Sequence, residues 1–192
     1  MSKYHTVKLG SLAKVQGGYA FKSEWFINDR KSVPVIKISE LQDGRVSISR
    51  KTSYLPKRFI EVEKYKKYVL KRGDILIAMT GATTGKIAKY QLDIPSLLNQ
   101  RVGRFIIQDS NLKKYLRYVF LGKDFQQAIV KDILISAQGN ISPSKIEQID
   151  VPLPSQEVRF KISYILSVLY SAIKKQDEIL SNLLDLKQSL MH

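Results

Sequence analysis

Residues 151–192 run VPLPSQEVRFKISYILSVLYSAIKKQDEILSNLLDLKQSLMH, and the architecture of the 192-residue chain turns on them. After Pro154 no proline or glycine occurs up to His192. Ser155 has the side chain of an N-cap, and Glu157 falls in the first turn, where the helix dipole favours an anion. Ile162, Leu166, Leu169, Ile173, Gln176, Leu180, Leu183, Lys187 and Leu190 then recur at alternating steps of four and three, and seven of these nine positions are apolar. That is a coiled-coil seam, interrupted at Gln176 and Lys187. Ile165, Ala172, Ile179 and Leu186 form a second apolar stripe beside it. A helix of about 36 residues would be roughly 54 Å long, too long to bury all of that surface on a domain of this size. It needs a second long helix, and the sequence offers none.

Upstream, the texture is different. Ser136–Asn140 is a polar loop, and Pro152 and Pro154 set the direction in which the chain leaves it. The first 110 residues read as short strands between turns. Val33–Ile38 is rich in β-branched residues and ends near Gln42-Asp43-Gly44, with Arg45–Ile48 expected as the other arm of a hairpin. Asp74–Met79 is a continuous apolar run of strand length, as expected for a strand buried on both faces. Gly85–Leu92 and Arg101–Ile107 read as two more strands, and Gly17-Gly18-Tyr19 as a turn anchored by Phe21, Trp25 and Phe26.

Helices follow. Asn111 is expected to cap Leu112–Leu121, Asp124–Leu134 has helical spacing, and Ser142-Pro143 has the cap-then-proline order of a helix start. The fold class expected is α+β: a globular domain over residues 1–154 with a mixed or antiparallel sheet and short helices. One long coiled-coil helix follows over residues 155–192.

Charge supplies the functional signal. The chain carries 32 Lys and Arg against 17 Asp and Glu, a net charge of +15. Residues 1–72 alone hold 17 basic and 6 acidic side chains. An excess concentrated on one segment suits a polyanion, because each neutralised phosphate releases counterions. There is no cysteine, which excludes disulfides and thiolate metal sites and fits a reducing, cytoplasmic setting. No window of 18 apolar residues occurs, so no membrane role is expected.

Catalytic constellations are missing. Thr80–Lys86 resembles a phosphate loop, but it is one residue short between glycines and has Ile87 where a magnesium-binding Ser or Thr belongs. Asp29-Arg30-Lys31 and Asp185-Leu186-Lys187 match a minimal Asp-x-Lys spacing without the further acidic residues that a metal-dependent nuclease needs. The two histidines stand at opposite ends, and no glycine loop for S-adenosylmethionine is visible. A non-enzymatic chain holding no metal is expected.

What remains is a set of basic, aromatic-laced loops. Tyr19, Lys22 and Ser23 lie on one, Arg50, Lys51 and Thr52 on another, Thr83 and Lys86 on a third, with Arg101, Gln138 and Asn140 beyond. Arg, Asn and Gln can read base edges in the major groove, while Lys, Ser and Thr secure phosphates. Lys64, Lys66 and Lys67 read as a solvated face. For the helix, the expected interface residues are Ile162, Leu166, Leu169, Ile173, Leu180, Leu183 and Leu190.

These pieces together resemble a known family, the specificity (S) subunits of type I restriction–modification systems. The likeness rests on Val7–Leu12 followed by Gly18–Ser23, on Val33–Ile38 with Gly44, and on Leu70–Leu76 with Gly81 and Gly85-Lys86. It continues through Asn99-Gln100, Gly139, Val151–Glu157 and the heptads ending at Leu186–Met191. The resemblance implies a target recognition domain that binds double-stranded DNA, followed by a helical spacer. It also implies methyltransferase (M) subunits that methylate adenine and restriction (R) subunits that cleave. S-adenosylmethionine, ATP and magnesium would belong to those partners, with no cofactor bound by this chain. Such subunits carry two recognition units, whereas this sequence contains one, as a natural half subunit or a fragment of a longer chain would; either way a homodimer through the helix is expected. Two alternatives stand beside this: a recognition domain from a single-chain DNA methyltransferase, and a basic protein-interaction module.

Overall fold

The computed structural model describes residues 4–136 and 139–191. Twelve short strands build three sheets. A six-stranded sheet contains β2 (Lys14–Gly17), β4 (Leu41–Gln42), β5 (Arg45–Val46), β8 (Ile75–Ala78), β9 (Ile87–Lys89) and β11 (Val102–Ile106), in the order β2-β11-β8-β9-β5-β4. A four-stranded sheet contains β3 (Val33–Ile36), β6 (Ser53–Leu55), β7 (Val69–Leu70) and β10 (Ser96–Leu98), in the order β6-β3-β10-β7. The third is a ribbon that pairs β1 (Thr6–Lys8) with β12 (Asp150–Pro152), which ties the first strand to the segment leading into the last helix. The helices are α1 (Arg58–Glu61), α2 (Glu63–Lys66), α3 (Ser110–Leu121), α4 (Lys123–Ser136), α5 (Pro143–Glu147) and α6 (Gln156–Leu190).

Layering follows from the alternation of side chains along each strand. In β8 and the residue after it, Ile75, Ile77 and Met79 enter a core shared with α3, α4 and α5, through Leu116, Phe120, Phe125 and Ile129. Leu76 and Ala78 point the other way, into a core between the two large sheets with Ile36, Leu70 and Leu98. Both faces of β8 are therefore buried, as its unbroken apolar run predicts. The outer face of the four-stranded sheet packs Val33, Val35 and Leu97 against Phe21 and Phe59.

The hairpin differs from expectation in its first arm. It joins β4 to β5, with Leu41 opposite Val46, and β3 belongs to the other sheet. A 3-10 turn over Ile38–Glu40 redirects the chain, held by buried Glu40, whose carboxylate accepts from the Lys37 amide at 2.9 Å. Asp43 and Gly44 have φ of +47° and +73°, the tight turn that an Asp-Gly pair favours. Gly17 lies in β2 and not in a turn, and Gly18 closes on the 98–99 backbone. A Cβ at Gly18 would stand 2.2 Å from the Asn99 carbonyl oxygen.

One helix cap also differs. Asp109, two residues before Asn111, caps α3, its carboxylate accepting from the Asn111 and Leu112 amides at 2.7 and 3.1 Å. Ser142 caps α5 with Pro143 in the first turn, and Ser155 caps α6, both as the sequence indicates.

Helix α6 touches the domain only over its first half. Ile162 packs against the core of α3–α5, and Ser163 is buried, its hydroxyl donating to the Arg159 carbonyl at 2.8 Å. Tyr170 is half-buried, and every later residue of the helix whose side chain is described is exposed.

Candidate nucleic-acid interface

Four loops converge where β2 and β8 end and β9 and β11 begin. The Gly18 amide donates to the Val102 carbonyl at 3.1 Å, and the Gln100 amide to the Tyr19 carbonyl at 3.0 Å. The Met79 amide donates to the Arg101 carbonyl, and the Ile141 amide to the Met79 carbonyl at 2.9 Å. The Thr84 hydroxyl donates to the Gly81 and Gly139 carbonyls at 2.7 and 3.0 Å. Loops 17–23, 79–86, 99–101 and 139–143 thus form one hydrogen-bonded rim at one end of the six-stranded sheet. Gly81 and Gly85 have positive φ, so the 80–86 segment is a tight connection between β8 and β9.

This rim carries most of the residues expected to meet DNA. Lys22, Ser23, Thr83, Arg101 and Asn140 are exposed, and Tyr19 and Lys86 half-buried. Arg50 and Lys51 are exposed on another loop, held through Thr52 to Glu40 and the Ile38–Glu40 turn. Thr52 belongs to the interior. It is buried, donates to the Glu40 carboxylate at 3.2 Å and accepts from the Ser49 amide at 3.0 Å, so it shapes the loop and offers nothing to a ligand. Gln138 lies outside the described residues.

Three lysines that read as a solvated face, Lys64, Lys66 and Lys67, divide in the structure. Lys66 pairs with Glu63 at 2.7 Å in solvent. Lys64 lies 5.1 Å from the Tyr19 ring centre and 5.6 Å from that of Tyr65, while Lys67 covers Tyr68 at 5.2 Å. Lys37 stands over Phe26 at 4.5 Å. Hydrogen bonding from Lys64 holds the Tyr19 hydroxyl below its ordinary value, and Tyr19 raises Lys64 in return, which keeps that ammonium charged. The surface beside the rim is thus a set of cations seated on aromatic rings, a chemistry suited to phosphates and stacked bases. The interleaving Lys64-Tyr65-Lys66-Lys67-Tyr68 was its visible trace in the sequence.

Asp29 closes a local turn, accepting from the Ser32 hydroxyl at 2.7 Å and the Lys31 amide at 2.9 Å, and Asp185 is exposed on α6. Among the described residues, no group of three His, Cys, Asp or Glu could hold a metal ion, and no helix is long and apolar enough to cross a membrane.

A model of the type I restriction–modification DNA specificity domain matches residues 1–182. The chain belongs to that family. Among curated relatives, the specificity domain is 30% identical over 159 residues to the type I restriction enzyme MjaVIII specificity subunit of Methanocaldococcus jannaschii, covering 80% of this chain and 36% of that protein. It is 25% identical to the EcoAI specificity subunit of Escherichia coli, covering 94% of this chain and 29% of the relative. The chain therefore spans about a third of the length of the curated relatives it matches. Its fold is that of the type I restriction–modification S subunit from M. genitalium, with a TM-score of 0.65 at 17% identity, over 98% of this chain and 45% of that structure.

Proposed function

We propose that this chain is the non-catalytic, DNA-reading specificity subunit of a type I restriction–modification complex, working in the cytoplasm as a pair of identical copies joined through α6. The rim loops of each copy read one half of a bipartite site in double-stranded DNA, and the paired helices separate the halves. M subunits, and R subunits where cleavage occurs, dock on this pair. S-adenosylmethionine, ATP and magnesium belong to them, and this chain binds no cofactor.

The observation that carries the pairing is the helix surface. Leu169, Ile173, Leu180, Leu183 and Leu190 are each more than half exposed, with nothing among the described residues to cover them. Family membership and the cationic rim support DNA reading. A two-fold pair favours a site with mirrored halves. Ile162, already packed in its own domain, is spared from the interface, which then begins near Leu166.

The test replaces Leu169, Ile173 and Leu180 together by glutamate. The parent chain is expected to scatter light as a dimer and the variant as a monomer, with adenine methylation of bipartite sites lost when the M subunit is added. An unchanged mass would reject the pairing.

A further inference from the structure

The structure assigns Tyr170 as the residue that fixes the angle at which the spacer helix leaves the recognition domain, and hence the gap between half-sites that the assembly accepts. This rests on the paired reading above. Three elements meet at the Tyr170 ring. The Arg117 guanidinium of α3 lies 5.1 Å from its centre. From the other side comes the β4–β5 turn: Gly44 approaches so closely that a Cβ there would stand 3.0 Å from the Tyr170 hydroxyl oxygen. That turn is itself held to the sheet, because the Gly44 carbonyl accepts from the Lys89 amide at 2.9 Å.

N-terminal to this contact α6 packs along α3, where Ser163 is buried, so Tyr170 is the last residue of the helix to be held against the domain. A cleft of about 480 Å³ opens beside Phe160, Ser163, Tyr164 and Ser167. Another of about 600 Å³ separates Ile173 and Asp177 from Asp43 and Arg45. Tyr170 stands between the two, and beyond it every residue of α6 whose side chain is described is exposed.

Geometry makes this contact consequential. Residues 171–190 form an arm of about 30 Å at 1.5 Å per residue, so a change of about 10° at Tyr170 moves its tip by about 5 Å. Successive base pairs are about 3.4 Å apart, so that swing exceeds one step of the duplex. A loosened brace would let two domains settle on half-sites whose gap is wrong by a base pair or more.

The chain lacks cysteine, so Lys123→Cys on α4 and Asp185→Cys on the arm give a unique pair of spin-label sites, both exposed. Labelled chains are diluted into unlabelled ones, so that the distance read lies within one copy. The parent should give one narrow distance. Tyr170→Ala should widen the distribution about twofold, since tip excursions scale with the freedom of exit angle. Gly44→Ala, which pushes the turn off the ring, should widen it as well, and Tyr170→Phe, which keeps the ring on Arg117, should not. With the M subunit added, the parent should methylate sites with the half-site gap changed by one base pair about tenfold less than its own site, and Tyr170→Ala only about twofold less.

A narrow distance in Tyr170→Ala overturns the brace whether or not the chain dimerises, because the measurement lies within one copy. A widened distance with an unchanged gap preference overturns its role in specificity. A monomeric parent refutes the pairing alone, and the distance test still stands.

Discussion

Leu76 and Leu98 in the sheets are fully buried, while Leu180 and Leu183 on the arm are 57% exposed and Leu190 78%. The same side chain meets opposite fates because the two regions are built from contacts of different range. Inside the domain, strands far apart in sequence pair and close two cores between layers; β10, for instance, runs parallel to β3 some sixty residues earlier. Along the arm the backbone hydrogen bonds are those of the helix itself, and the apolar stripe at Leu180, Leu183 and Leu190 stays exposed. A domain that buries its own apolar side chains is thus joined to an arm whose apolar stripe it leaves exposed.

Substitutions of one kind in both regions sharpen this contrast. Leu76→Ala should cost about 2–5 kcal/mol in denaturant unfolding, from lost burial and the cavity left behind. Leu183→Ala should change the unfolding of dilute chain by less than about 0.5 kcal/mol, while raising the concentration needed for pairing. A large loss for Leu183→Ala at concentrations where the chain is monomeric would mean that the arm folds back on its own domain.

A smaller effect separates the surfaces. Lys86→Ala, on the rim, should weaken binding to duplexes of any sequence by roughly three- to tenfold and lower the salt slope by about one. Lys187→Ala, on the arm, should leave both unchanged. Equal losses in a salt titration would place DNA on the helix and not on the rim.

The smallest effect is at the helix starts. The Leu112 and Asn111 amides hold the Asp109 carboxyl below its ordinary value of 3.8. A depressed group stabilises the fold fully above the unfolded value, and that contribution is lost as pH falls through the folded one. The domain should therefore lose stability below about pH 4, where Asp109 protonates. Asp109→Asn, which still caps, should show a shallower decline in thermal midpoint over that range. Ser155 does not titrate, so the cap hydrogen bond that starts α6 should be unaffected by the same change.

Much of this was legible in the sequence because its signals are local and repeated. The α6 heptads, the unbroken Ile75–Ala78 run and the Ser142-Pro143 start each announce themselves within a few residues. The four-stranded sheet does not. Its β10 is three residues long, and its β3 was paired by proximity with the hairpin, when the turn over Ile38–Glu40 in fact sends the chain elsewhere. That turn depends on buried Glu40 meeting Thr52 across twelve residues, and neither type signals burial by itself. For the same reason Thr52 read as a surface contact. On the rim, charge and residue type pointed to candidates, but the seat of Lys64 on Tyr19 appears only when distant loops come together.

The alternation of β8 has a further consequence. Its successive side chains are divided between two separate cores, so a slip of one residue would strip both at once. The strands that begin and end the rim loops are thus pinned in register from above and below. Loops on such a base can change side chains, and even length, without disturbing what they stand on. On the proposed reading, new target sequences would arise by exchange of the rim alone, with the foundation and the arm unaltered.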